Sequence, residues 1–191
     1  MKRIGAVLLC CFAFAFSQEA FRPPAVPLIT MDPYFSIWSF HDRLTDDWAK
    51  HWTGTTQGLC GLIRIDGQTR RLMGRAPKEV EPLPQTGLLV MPTQTHYTFA
   101  GQGVAVQMTF TSPLLPHELN TLARPAGYLT WQVWSTDGKE HDISLYFDAT
   151  MEPAVNTAGQ KVTWGRLRSE QTVRSEERRV GKECRSRWGP Y

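Results

Sequence analysis

The sequence predicts an all-β protein, built as an antiparallel β-sandwich. Short runs of aromatic and β-branched residues recur along the chain, and Gly, Pro and Asp turns separate them. Outside the first 17 residues, no window sustains the 3.6-residue apolar period of a helix. Many short strands joined by turns are typical of sandwich domains, and 191 residues suffice for one such domain or two small ones.

The first half of the chain begins with an extended segment and continues into a predicted hairpin. Three prolines at 21–28 favour extended backbone, because proline restricts φ and has no N–H for helical bonding. Asp66-Gly67 lies between two strand-like runs, and this dipeptide is a strong signal for a two-residue hairpin turn. The strands predicted here are 34–40, 59–66 and 69–73.

The second half repeats the same devices. Residues 104–110 alternate apolar and polar side chains, which predicts a strand with one buried face. Asp137-Gly138 suggests a second hairpin, in which 143–147 returns beside 128–134. Strands are also predicted at 95–99 and 161–167.

The N-terminus has the pattern of a secretory signal peptide at 1–17. Lys2 and Arg3 precede an apolar run that is too short to span a bilayer, and small residues lead up to Ser17. Cleavage there would leave Gln18 first and place the protein in the periplasm or outside the cell. An alternative is lipidation at Cys10 or Cys11.

Cysteine usage indicates an exported domain without internal disulfides. Once the signal is removed, Cys60 is the only cysteine of the central segment, and its apolar neighbours predict a buried, inert thiol. Cys184 lies in the polar tail. No C-x-x-C pair is present to bind a metal.

The charge distribution argues against a nucleic-acid partner. The total charge is +3, but the last 18 residues carry six basic and three acidic side chains, and the first 17 residues carry two basic ones. The segment 18–173 between them therefore has a net charge of −2. A basic binding face is not expected there.

The C-terminal segment 171–191 differs in composition from the rest of the chain. From about residue 168 it is rich in Arg, Glu and Ser and has little to bury. It resembles translated adaptor or vector read-through, which would make the chain a fragment of a longer protein. The alternative is a genuine basic arm.

The richest polar cluster surrounds residues 42–52. Asp46 or Asp47 could orient His51 as a general base, and Trp52 could cover a pocket or stack on a sugar ring. The structural alternative is a surface loop in which an aspartate caps a short helix at 44–52 and the tryptophans pack inward.

Trp131 and Trp134 are three residues apart, so on a strand they point to opposite faces. One is expected in the core. The other is expected at an interface with a further domain.

Several motifs occur in an order and at distances that together resemble the glutaminase A-like family. Met31 departs from the family pattern, since relatives commonly have histidine before Asp-Pro-Tyr. The matching segments are PLITMDPYFSIWS (27–39), KHWTG (50–54), GLIRIDG (61–67), YLTW (128–131), STDGKEH (135–141) and YFD (146–148).

The resemblance implies an N-terminal, non-catalytic piece of a secreted multidomain amidohydrolase that converts L-glutamine to L-glutamate and ammonia. Its small-molecule substrate and its catalytic residues would belong to an α/α-toroid domain that this chain lacks, so no catalytic residue is assigned. No metal or organic cofactor is implied. The domains expected are a DUF4964-type module at 18–85 and the start of a DUF5127-type sandwich at 86–170.

Two other functions remain open. A carbohydrate-associated module could use exposed Trp48, Trp52 or Trp134, because fold alone does not separate it from a glutaminase accessory domain. A stand-alone exported sandwich with a structural role is the third possibility.

Overall fold

The computed structural model describes residues 22–155, 157, 160–168 and 173–179, and it confirms the all-β prediction. Helical structure in these ranges is confined to α1 (Leu119–Leu122) and a 3₁₀ turn at Glu152–Ala154. None of it is long and apolar enough to cross a membrane. The strands are β1 (Val26–Thr30), β2 (Ser36–Ser39), β3 (Lys50–His51), β4 (Leu59–Ile65), β5 (Gln68–Met73), β6 (Gln85–Val90), β7 (Gln94–Gly101), β8 (Val104–Thr111), β9 (Tyr128–Ser135), β10 (Ile143–Ala149), β11 (Val162–Arg168) and β12 (Val173–Arg179).

The strands pair in four antiparallel sheets. A three-stranded sheet has the order β10-β4-β5, and a four-stranded sheet has the order β6-β7-β8-β9. A smaller sheet, β1-β2-β3, begins the chain, and β11 pairs with β12. Pro27 lies inside β1, which is tolerated because β1 is an edge strand of its sheet.

The core lies between the three-stranded and four-stranded sheets, and β1 and β2 close one side of it. A single hydrophobic cluster contains residues from all of these strands, so it crosses the expected module boundary at residue 85. Burying each large side chain of this kind contributes about 1.5–3 kcal/mol. Its largest fully buried members are Tyr97, Phe99, Phe110, Ile37, Ile63, Ile65, Leu72, Met73 and Met108.

Most of the predicted strands are present, and the first predicted hairpin is confirmed. Ile65 pairs with Gln68 across the turn, and both turn residues have positive φ, 49° at Asp66 and 84° at Gly67. These angles match the two-residue hairpin turns for which Asp-Gly is favoured.

The second predicted hairpin is wrong. β9 pairs with β8 in the four-stranded sheet, whereas β10 pairs with β4 in the three-stranded sheet. The connection at 136–142 is therefore a crossover between the two layers. Thr136 N–H donates to the Gly103 carbonyl at one end, and Asp66 N–H donates to the Asp142 carbonyl at the other. The seven residues at 136–142 are enough for the chain to pass from one sheet to the other. Asp137-Gly138 therefore predicts that the chain turns, but not with which strand the next strand pairs.

Three local features differ from the sequence expectations. Residues 44–46 form a turn and Lys50–His51 form a short strand, whereas the structural alternative for this segment was a short helix at 44–52. Strand β6 was not predicted, because its glycine and glutamine weaken the apolar pattern. Strand β12 lies in the charged tail, where composition gave no strand signal.

The interpretation of 171–191 as translated read-through stays a prediction. Residues 171–172 and 180–191 lie outside the described residues, and so does the predicted signal peptide at 1–17.

The two central tryptophans point to opposite faces of β9, as predicted. Trp131 packs against the core: its ring lies 6.5 Å, centroid to centroid, from Phe147 of β10. It also covers Gly61 of β4, where a Cβ would lie 3.1 Å from the indole. Trp134 is exposed on the outside.

Cys60 is buried, as predicted, and burial raises the pKa of its thiol.

Candidate functional site

The structure places His51 and Trp52 at the end of β3, beside the turn that precedes β2. Ile37 pairs with His51 across the strands. Trp52 Nε1 donates to the Pro33 carbonyl oxygen at 2.8 Å, and His51 Nε2 lies 2.9 Å from the same oxygen. The other ring nitrogen of His51 lies 2.8 Å from the Thr53 hydroxyl. Both side chains therefore hold the 32–35 turn against β3.

Asp47 lies in a separate cluster of charged groups. Its carboxylate lies 3.0 Å from Lys50 Nζ, 3.2 Å from His41 Nε2 and 3.9 Å from Arg75 Nη1. The Trp48 backbone N–H and then Lys50 lower the pKa of the Asp47 carboxyl. The carboxylate is therefore an anion that organises neighbouring cations, and as such it is a weak general base.

Asp46 is exposed, and its hydrogen bonds stabilise the turn in which it lies. Its side chain accepts a hydrogen bond from the Arg43 N–H at 3.1 Å, and its own N–H donates to the Arg43 carbonyl. In the described part of the chain, no hydrogen bond or ion pair joins Asp46 or Asp47 to His51. A functional role for Asp46, Asp47, His51 and Trp52 stays a prediction.

The loop that carries these residues is held by Arg71, which the sequence did not single out. Its Nη1 donates to the Thr45 carbonyl at 2.8 Å and to the Gly74 carbonyl at 2.7 Å, and its Nε donates to the Val80 carbonyl at 3.3 Å. The Arg71 side chain is buried. Backbone carbonyls therefore solvate its charge, and the arginine ties the loop before β3 to the connection between β5 and β6.

A second polar centre surrounds His141, at the crossover between the two layers. Its Nδ1 lies 2.7 Å from Asp66 Oδ2, and its Nε2 lies 3.0 Å from Asp137 Oδ1. A Cβ on Gly103 would lie 2.7–2.9 Å from the Asp137 and His141 side chains. The centre therefore joins a hairpin turn of each main sheet to the crossover. Only the i,i+4 spacing of Asp137 and His141 was visible in the sequence.

The charge states of this centre follow from its geometry. Hydrogen bonds to Asp66 and then to Asp137 raise the pKa of His141. His141 and the Asp142 N–H lower the pKa of Asp66. The Lys139 N–H and then His141 lower the pKa of Asp137 to about 2. The arrangement stabilises an imidazolium between two carboxylates. These contacts suit a role in holding the crossover in place better than a role in proton transfer.

The outer side of the four-stranded sheet carries a shallow groove of about 400 Å³. His96 Nδ1 lies 2.9 Å from the Thr109 hydroxyl and 3.1 Å from Gln107 Nε2. The groove is lined by Gly87, Leu88, Leu89, His96, Thr98 and Gln107. Within the described ranges, no group of three His, Cys, Asp or Glu side chains is placed to hold a metal ion.

Comparison with known proteins relates the chain to glutaminases. Residues 7–85 match a domain of unknown function, DUF4964, and residues 93–183 match another, DUF5127. Glutaminase A of Aspergillus oryzae (strain ATCC 42149 / RIB 40) is 32% identical over 151 residues, which are 75% of this chain and 22% of that protein. The chain is a glutaminase A-like N-terminal region.

A second relative agrees with this identification. A protein named "Probable glutaminase" from Arthroderma benhamiae (strain ATCC MYA-4681 / CBS 112371) is 27% identical over 176 residues, 82% of this chain and 20% of that protein. The glutaminase A-like region thus spans about a fifth of the length of these curated relatives. No solved structure matches it.

Proposed function

We propose that this region is the N-terminal, non-catalytic part of a longer exported amidohydrolase that converts L-glutamine to L-glutamate and ammonia. The relatives named as glutaminases support the reaction class. In the proposal, the substrate and the catalytic residues belong to an α/α-toroid domain of the same polypeptide. Residues 22–155 form the scaffold against which that domain packs.

One observation carries the packing role: the sandwich is open along β9 and β10. Each of these strands pairs on one side only, among the described residues, and the two face each other through Trp131 and Phe147. Leu145, Tyr146 and Phe147 are all exposed on β10. Leu145 and Phe147 share one face of this edge strand, and exposed apolar side chains on a sheet edge are typical of a surface that another part of the protein covers.

The reaction is tested on the longer gene product, by following ammonia release from L-glutamine. The proposal expects activity in the longer protein and none in residues 22–179 alone. A longer protein that binds but never hydrolyses glutamine would contradict it.

The packing role has a separate test. In the longer protein, Leu145→Asp and Phe147→Asp should lower the thermal unfolding midpoint and the yield of soluble protein. Leu119→Asp is the matched control, because Leu119 is equally apolar and exposed but lies on α1 and belongs to neither β9 nor β10. Equal effects of all three substitutions would mean that the open side has no special role.

Export is tested by N-terminal sequencing of the protein recovered from the periplasm or medium. The proposal expects a mature chain beginning at Gln18. A membrane-bound form carrying lipid on Cys10 or Cys11 would overturn cleavage after Ser17.

A further inference from the structure

The face of the four-stranded sheet turned away from the core, the outer sheet face, carries no formally charged residue. Strand register places its side chains in rows across β6 to β9; one row runs Leu89, His96, Thr109, Thr130. Its remaining members are Gly87, Gln94, Thr98, Ala100, Ala105, Gln107, Thr111, Tyr128, Gln132 and Trp134. Such a neutral surface offers an anionic ligand no cation to pair with, apart from a protonated histidine.

The groove described above lies on this face, over β6, β7 and β8. Gly87 keeps its floor open, since a Cβ there would lie 2.6 Å from the Thr98 hydroxyl. Its volume of about 400 Å³ falls in the range of roughly 300–1,000 Å³ found for small-molecule sites. The groove therefore has room for a ligand of one or two rings.

Hydrogen bonds along the groove leave a donor and an acceptor free. Gln107 Nε2 donates to His96 Nδ1 at 3.1 Å, so in the neutral imidazole the proton lies on Nε2. Within the described residues, neither His96 Nε2 nor Gln107 Oε1 has a hydrogen-bond partner. A hydroxyl group can accept from the first and donate to the second.

Aromatic rings border the face on the side opposite Leu89. Tyr128 is 61% exposed and Trp134 is 46% exposed, and both project from β9. Six residues of strand separate them, which is about 20 Å. Flat apolar rings beside neutral hydrogen-bonding groups suit a ligand that has apolar C–H faces and hydroxyl edges.

We propose that the outer sheet face binds a neutral oligosaccharide, whose hydroxyls bond to His96 and Gln107 while its sugar rings lie against Leu89 and Trp134. The site would hold the protein on a polysaccharide matrix. It does not depend on the glutaminase reaction, and the reaction does not depend on it.

The test is calorimetric titration of the 191-residue chain with neutral hexasaccharides of glucose, xylose and mannose in β-linkage. At least one should bind saturably, and the corresponding uronic acid oligomers should not. Trp134→Ala and Gln107→Leu should each weaken binding about tenfold, the loss expected from one ring contact or one hydrogen-bonding group. Trp52→Ala is the matched control and should bind like the wild type.

Circular dichroism and the unfolding midpoint establish that each variant is folded. Gly87→Ala provides a second, independent change, because its methyl group enters the groove and displaces the Thr98 hydroxyl but leaves His96, Gln107 and Trp134 in place. The proposal is overturned if no neutral oligosaccharide binds, if uronic acid oligomers bind equally well, or if folded Gln107→Leu and Gly87→Ala both bind like the wild type. Binding by this chain but not by the longer protein would show instead that the face is a domain interface, and would equally overturn it.

Discussion

His141 and Asp66 are 75 residues apart in the chain, yet His141 Nδ1 lies 2.7 Å from Asp66 Oδ2. The second ring nitrogen faces Asp137 at 3.0 Å. Ionised carboxylates only accept hydrogen bonds, so this geometry favours the imidazolium form of the ring, in which both nitrogens are donors. This contact fixes the crossover through which β9 and β10 enter different sheets.

The first prediction concerns pH. The pKa of His141 is raised above its ordinary value of 6.5 in the folded protein, so its stabilising contribution is complete below pH 6.5 and is lost as pH rises through the folded pKa. The pKa values of Asp66 and Asp137 are lowered from 3.8, so their contribution is complete above about pH 4 and is lost as pH falls through the folded values.

We therefore expect the unfolding midpoint to be highest between about pH 4 and 6.5 and to fall at higher pH. Thermal unfolding from pH 4 to 9 measures this, and His141→Gln should flatten the alkaline fall. His117→Gln, at an exposed loop histidine, should leave the profile unchanged. An equally steep fall in His141→Gln would refute the assignment.

The second prediction tests the packing of Trp131 over Gly61. A Cβ at Gly61 would lie 3.1 Å from the indole and 3.4 Å from Met73 Cβ, so Gly61→Val should lower the free energy of unfolding by about 1–3 kcal/mol. Denaturant titration measures the change. Gly165→Val on β11 is the control, since a Cβ there meets no atom within 4 Å. Similar losses in the two variants would argue against the close approach of the two layers.

The third prediction separates backbone strain from a steric clash. Gly74 has φ +89°, and a Cβ there would lie 2.6 Å from the Leu59 carbonyl oxygen. Gly138 has φ +76° with no atom within 4 Å. Gly74→Ala should therefore lose about 1–3 kcal/mol more of unfolding free energy than Gly138→Ala, whose loss is mostly backbone strain of about 1 kcal/mol. Equal losses in denaturant titration would mean that the loop yields to the methyl group.

The fourth prediction compares two adjacent arginines. Arg71→Met leaves the Thr45, Gly74 and Val80 carbonyls without their donor, and should cost about 3 kcal/mol of unfolding free energy. Arg70 instead pairs with exposed Glu81 at 2.6 Å, so Arg70→Met should cost less than about 1 kcal/mol. Denaturant titration of both variants measures the difference, and a reversed order would contradict the assigned roles.

Most contacts of the candidate site could not be predicted from the sequence, because they join residues that are far apart along the chain. Asp46, Asp47 and His51 are close in sequence, which suggested an acid–base pair. Strand pairing instead turns His51 toward Pro33, while Asp47 faces Lys50. The groove on the outer sheet face was equally hidden, because His96 and Gln107 meet only through the register of β7 and β8.

The sequence by itself determined the all-β class, most strand positions, the Asp66-Gly67 hairpin and the opposite orientations of Trp131 and Trp134. These properties follow from local chemistry: side-chain alternation has a period of two, and Asp-Gly accepts positive φ. Only the tertiary structure decided which strands pair, because Asp137-Gly138 allows a hairpin and a crossover alike. The crossover is stabilised by contacts with Asp66 and Gly103, which lie far away in the sequence, and no local pattern encodes them.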